Sequence, residues 1–437
     1  MFKFNFSDID LEIPEADQQQ DPISSNAENQ DAKANELQPL LDVKEGDYMH
    51  KKLTSARELQ INQLAKSLPP ALSYSPLVVP LTYDVQLNPA TDTPKQDKQT
   101  PSTTTDESVP KPKVKKRRGS ITLLRRDLYD ARYQLISETE ETDTSTEQPG
   151  LDFVDNPSDL VPGVYEGGLK TWECSLDLVD CLSTIYSDTS KLRGKRIIEI
   201  GCGTAVPSLY LLRLLLSAPR PEESLRTEII LQDYNDLVLQ LVTFPNVLLT
   251  WYSSPLAESY RERRDADEEP FDPHKAGDMP ITPDLMSEFQ ASLESYGITI
   301  RFISGSWQSL IDEHPAQPIL TYPFDVVLTS ETIYNMDNLS ILINLLKVTM
   351  GKPTSGEATS EAIAEKLNNS LTLDDNETNG NQSPGSLCLV AAKVLYFGVG
   401  GSVIDFERAV VRERGKTEKI LQREEGIKRT VLRLTWN

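Results

Sequence analysis

The stretch "KRIIEIGCGTAVPSLYLL", Lys195 to Leu212, constrains the fold more than any other part of the chain. An apolar run ends in a carboxylate, Glu199, passes through two glycines, Gly201 and Gly203, and gives way to a second apolar run. Strands buried on both faces read as apolar runs, and paired glycines allow a tight turn where backbone can approach a ligand. The pattern predicts a buried strand, a ligand-facing turn and a helix.

The same alternation recurs. Strands are expected at Arg196 to Ile200, Glu228 to Gln232, Ile298 to Ser304, Phe324 to Thr329 and Leu387 to Leu395, with helices after the first, second, fourth and fifth. "KTEKILQREEG" and "IKRTVLRLTWN" alternate apolar and polar residues about Gly426, as antiparallel edge strands do. Upstream, Leu169, Trp172, Leu176, Val179 and Leu182 lie three or four residues apart, the spacing of an amphipathic helix. The expected fold class is α/β, a doubly wound and mostly parallel sheet covered on both faces.

That domain is expected over residues 151–437, with polar insertions near 253–285 and 351–386 read as surface excursions. Residues 1–150 read as an acidic, largely disordered N-terminal arm, in which "LPPALSYSPLVVPLTYDVQLNP" is the one sustained apolar patch. A basic run at 111–118 within the arm is either a solvated linker or a nuclear-import signal. The segment after it, "ITLLRRDLYDARYQLI", reads as a short helix or strand docking on the domain.

The charge balance of the 437 residues, 44 − 67 = −23, argues against a chain-wide grip on nucleic acid or an anionic membrane and suits a basic protein partner. Four cysteines without CxxC spacing and three scattered histidines support neither a metal site nor a disulfide framework. The start "MFKFNFSDIDLEIPEAD" lacks the apolar core of a signal peptide, and the longest apolar run, Leu209 to Leu216, is broken by Arg213. A soluble protein of a reducing compartment is expected, with no membrane contact.

In a doubly wound sheet the ligand sits beyond the carboxyl ends of the strands, at the switch point. Val206 stands where a dinucleotide-binding GxGxxG turn has Gly or Ala, and Glu199 would repel pyrophosphate but can pair with a cationic ligand such as S-adenosylmethionine. Asp233, ending "EIILQD", suits a ribose or else caps the next helix; Trp307 in "SGSW" stacks an adenine or else fills the core. In "FDVVLTSETIYN", Ser330, Glu331, Tyr334 and Asn335 emerge together over the mouth of the site. Lys393 interrupts an apolar run and either pairs with a domain carboxylate or touches substrate, and Gly398, Gly400 and Gly401 form a flexible loop or a tight turn.

These motifs, with "GLKTWECSLDLVDCL", "LQDYN" and "AAKVLYFGVGGS", resemble the seven-strand class I methyltransferases and, within them, the histidine protein methyltransferase family, over about Val161 to Asn437. The resemblance implies a Rossmann-like fold and S-adenosylmethionine as cofactor. Glu199, Gly201 and Gly203 would surround its methionine end, Asp233 its ribose and Trp307 its adenine, with Trp172 and Ser330 walling the pocket. Glu331, Tyr334 and Asn335 would be catalytic. It also implies a substrate, a histidine at its tele nitrogen in the third protein of the large ribosomal subunit, and nuclear as well as cytoplasmic residence. A lysine methyltransferase shares the Glu331 to Tyr334 spacing and remains open, as does a non-catalytic module that keeps the fold. A nicotinamide-linked dehydrogenase is disfavoured by Glu199 and Val206.

Overall fold

The computed structural model describes residues 54–82, 118–141, 168–221, 225–264, 270–312, 319–321, 323–351, 386–396 and 400–436. They belong to one compact unit, Lys51–Asn437. Its centre is an eight-stranded sheet. In chain order the strands are β1 (Arg57–Leu59), β4 (Arg196–Ile200), β5 (Thr227–Asp233), β7 (Ile298–Ser304), β8 (Val326–Ser330), β9 (Leu387–Lys393), β10 (Gly415–Arg423) and β11 (Arg429–Trp436); in space they run β1-β7-β5-β4-β8-β9-β11-β10. Strands β7, β5, β4, β8 and β9 are mutually parallel, and β11 enters antiparallel between β9 and β10. The expected doubly wound, mostly parallel sheet is therefore present, with two corrections. β11 is an inner strand, because the chain doubles back between β9 and β10. β1 adds an antiparallel eighth strand on β7.

Strand periodicity sorts the core onto two faces. Ile197, Ile229, Leu231 and Phe302 pack with helices Glu173–Ile185, Val206–Ser217 and Phe244–Tyr252. Ile198, Ile200, Ile230 and Ile303 pack with Trp307–Ile311, Leu339–Met350 and Val403–Arg412. A short helix thus follows the third central strand too.

The domain boundary at residue 151 is also corrected. A second sheet, β3-β2-β6, is built from β2 (Ala71–Thr82), β3 (Arg118–Arg126) and β6 (Gly277–Pro280), and helix Leu128–Glu141 follows it. Leu72, Val79, Leu123 and Leu124 are buried in the main core, so this part of the arm folds as domain. The 253–285 insertion is likewise structural, carrying helix Glu258–Arg264 and β6, which pairs with β2 from Ala71 to Tyr74. The basic run at 111–117 and the insertion over 352–385 lie outside the described residues.

Helix Glu173–Ile185 is anchored by ions. Asp177 accepts from Arg429 Nε at 2.7 Å and from Arg423 Nε at 3.1 Å, while Asp180, fully buried, meets Arg423 and the Thr82 backbone amide. Removing one partner of so enclosed a network leaves an uncompensated charge, which fixes the helix over the strand ends. Among the described residues no helix is long and apolar enough to cross a membrane.

Candidate active site

The order of the sheet reverses between β4 and β8, and a cleft opens there beyond their carboxyl ends. It is lined by Gly168, Lys170, Trp172 and Ser175 from helix Glu173–Ile185 and its approach, Gly201 to Thr204 after β4, Asp233 and Tyr234 at the end of β5, Trp307 after β7, and Ser330, Glu331, Thr332 and Tyr334 at the end of β8. A wider cavity at the opposite end of the sheet, lined by residues such as Leu225 and Gly297, lies away from these strand ends.

The glycine turn is shaped by protein as much as by any ligand. Gly201 and Gly203 have φ of 61° and 50°; a Cβ on Gly201 would meet Thr332 Cγ2 at 2.7 Å, and one on Gly203 the Gly168 Cα at 3.2 Å. Asp233 accepts from the Gly203 amide at 2.9 Å and from the Asn235 amide at 3.1 Å. Burial raises its carboxyl to about 6, against the pull of those amides. Asp233 therefore borders the cleft and does not cap the next helix, whose N-cap is Asn235; its bond to the Asn235 amide is an Asx turn.

Gln232, which the sequence reading passed over, ties the glycine turn to Trp307. Its Oε1 accepts from the Gly201 amide and from Trp307 Nε1, each at 3.2 Å, and its Nε2 donates to the Gly305 carbonyl at 3.0 Å. A glutamine closing the apolar run Ile229 to Leu231 was the available signal. Trp307 thus lines the cleft with its indole N–H already satisfied, leaving its face for stacking.

Two expected site residues stand elsewhere. Glu199 is buried behind the turn: Oε2 accepts from the Ser208 amide at 3.0 Å, at the start of helix Val206–Ser217, and it does not line the cleft. Its Oε1 has no hydrogen-bond partner, and desolvation pushes the carboxyl up to about 8. Asn335 turns its side chain to accept from the Asp337 amide at 2.9 Å, an Asx turn, and is also absent from the lining. Cys202, between the glycines, is buried and its thiol lies well above the usual range through desolvation, which suits packing rather than nucleophilic attack.

Glu331 is the most unusual residue here. Its φ of 57° puts a non-glycine residue in the left-handed region, and strain of this kind gathers at functional sites. The neighbours over-determine it: the Glu331 amide donates to the Ala391 carbonyl at 3.0 Å, and Gly401 packs so closely that a Cβ there would meet the Tyr334 carbonyl at 2.6 Å. Of the glycines after β9, Gly400 donates to the Tyr396 carbonyl at 3.3 Å and Gly401 accepts from the Tyr396 amide at 2.9 Å, while Gly398 lies outside the described residues. Glu331 Oε2 accepts from the Tyr396 hydroxyl at 2.7 Å, and Oε1 has no hydrogen-bond partner. Lys393 pairs with carboxylates, as one sequence reading had it: its Nζ lies 3.7 Å from Glu331 Oε1, 3.5 Å from Glu173 Oε2 and 4.5 Å from the centre of the Trp172 ring.

The residues fit S-adenosylmethionine. Asp233 presents a carboxylate acceptor that would suit a ribose, Trp307 an aromatic face that would suit an adenine, and the glycine turn would let backbone border the ligand. This sheet order, glycine turn and pair of acidic strand ends define a class I, S-adenosylmethionine-dependent methyltransferase. Relatives narrow the class. The chain is 36% identical over 295 residues to Histidine protein methyltransferase 1 of Saccharomyces cerevisiae, covering 65% of this chain and 67% of that protein. It is 32% identical over 286 residues to its namesake in Schizosaccharomyces pombe, covering 65% and 68%, and 30% identical over 281 residues to the Bos taurus homolog, covering 64% and 58%. No family model matches the chain. The chain belongs to the histidine protein methyltransferase family.

Proposed function

We propose that this enzyme methylates the tele nitrogen of a histidine in a basic, large-subunit ribosomal protein, with Glu331 holding the reacting ring. Bound in the cleft, S-adenosylmethionine supplies an electrophilic methyl group. Asp233, Trp307, Gly201 and Gly203 would bind it, and Trp172 and Ser330 would wall the side from which substrate enters.

A neutral imidazole, with an ordinary pKa near 6.5, carries a nucleophilic lone pair at neutral pH, so no strong base is needed. What the ring needs is the correct tautomer and orientation. A carboxylate that accepts the pros N–H leaves the tele nitrogen free to attack and stabilises the positive charge that develops on the ring. The observation that carries this reading is Glu331 Oε1: a buried oxygen, on a carboxylate that lines the cleft, for which no hydrogen-bond partner is found. Tyr334, lining the same wall, would pack against the ring. Asn335 would act through the Asx turn that shapes this loop rather than by contact.

The net charge of −23 supports a basic partner, and the basic run at 111–118 supports entry into the nucleus as well as residence in the cytoplasm. The test of the site is Glu331→Gln. Undiminished binding of S-adenosylmethionine by calorimetry with a fall in transfer of 100-fold or so is expected; near-normal transfer rejects the assignment.

A further inference from the structure

We infer that Tyr396 and Lys393 are positioning residues for methyl transfer, acting through Glu331. The inference rests on the reading of Glu331 given above. Neither residue lines the cleft, and neither belongs to the acidic loop after β8; both come from the end of β9 and the turn that follows.

The two side chains act on the two oxygens of one carboxylate. The Tyr396 hydroxyl donates to Oε2 at 2.7 Å while accepting from the Lys393 backbone amide at 3.3 Å, so its proton direction is set. Burial and the facing Glu331 carboxylate hold the phenol far above its ordinary value, keeping it a donor. With Oε2 occupied, Oε1 is the oxygen left for a substrate N–H. Lys393 lies 3.7 Å from that oxygen, beyond hydrogen-bond distance, so it sets a positive charge beside the carboxylate without occupying the acceptor.

Other groups around the carboxylate do not do this. The Cys174 thiol also bonds the Glu331 carboxylate, but burial first and then that carboxylate raise it well above the usual thiol range, so it stays protonated and is only a weak, neutral donor. Glu173 is a second carboxylate on the far side of Lys393, with its Oε2 3.5 Å from Nζ. The ammonium over the Trp172 ring then links the start of helix Glu173–Ile185, the loop after β8 and β9 in one brace. Such a brace keeps the left-handed Glu331 aimed when substrate binds, because each neighbour removes a rotamer.

The experiment is a double-mutant cycle on the full chain with labelled S-adenosylmethionine and a histidine-containing basic protein substrate. Tyr396→Phe removes one charge-assisted hydrogen bond and is expected to lower kcat about 10- to 100-fold. KM for substrate and calorimetric affinity for S-adenosylmethionine should change less than about threefold. Lys393→Met should lower kcat similarly and Lys393→Arg should restore most of it. In a Glu331→Gln background, Tyr396→Phe should cost nothing further. Full additivity of the two losses, or a Tyr396→Phe enzyme with normal kcat beside an inactive Glu331→Gln enzyme, overturns the inference and leaves the Glu331 reading standing. Normal kcat in Glu331→Gln overturns both.

Discussion

The Gly203 amide donates to Asp233 Oδ2 at 2.9 Å, so the glycine turn after β4 and the acid ending β5 form one device across thirty residues of sequence. Binding of the methyl donor and the shape of the turn therefore depend on the same side chain. Asp233→Ala should lower stability by about 1–3 kcal/mol, by leaving the Gly203 and Asn235 amides without their acceptor. It should also weaken S-adenosylmethionine by tenfold or more. Thermal unfolding and calorimetry check the two effects; unchanged affinity would remove Asp233 from the cofactor site.

Gly201→Ala forces a side chain into a left-handed position and into Thr332. The backbone strain alone is about 1–2 kcal/mol. Loss of donor binding should exceed loss of stability, because the displaced Thr332 borders the cleft; a variant that unfolds less readily than the parent would contradict this.

Gln232→Leu removes one acceptor shared by Gly201 and Trp307 and one donor to Gly305. Each buried group left without a partner costs about 1–3 kcal/mol, so the melting temperature should fall by several degrees. Trp307→Phe, which keeps an aromatic face, should cost less in both stability and donor affinity.

The two buried acids make the donor-free protein sensitive to pH. Their folded values, about 8 for Glu199 and about 6 for Asp233, lie above ordinary carboxyl values of 4.5 and 3.8, so the native state binds more protons than the unfolded chain from roughly pH 4 to pH 8. Their contribution is fully present below that window and is lost as pH rises through it, with a slope of at most about 1.4 kcal/mol per pH unit for each group. Melting temperature without the donor should fall from pH 5 to pH 8. Glu199→Gln should flatten the part above pH 6; an equally steep curve in that variant refutes the assignment.

Much of this was legible in the sequence because the central strands are apolar runs closed by acids. β7 was read at its observed bounds, Ile298–Ser304, and Asp233, Trp307, Ser330, Glu331 and Tyr334 all reach the cleft. The misses have physical reasons. β1 is three residues on a sheet edge, too short for any periodicity. β2 carries Pro76 and Pro80, which argue against a strand; both lie beyond Tyr74, where β6 no longer pairs and a missing N–H faces an open edge. β6 is four residues ending in proline. Glu199 was given to the ligand because a carboxylate beside the glycine turn can pair with a cation, but the sequence does not reveal that the Ser208 amide claims it. Tyr396 went unremarked because its role depends on a contact sixty-five residues away.

The central claim is that the methyl group goes to histidine. Incubating the purified full-length protein with isotopically labelled S-adenosylmethionine and a large-subunit ribosomal-protein fraction, then hydrolysing the product and separating its amino acids, tests it directly. The account predicts label in tele-methylhistidine from one basic protein; label in methyllysine would contradict it.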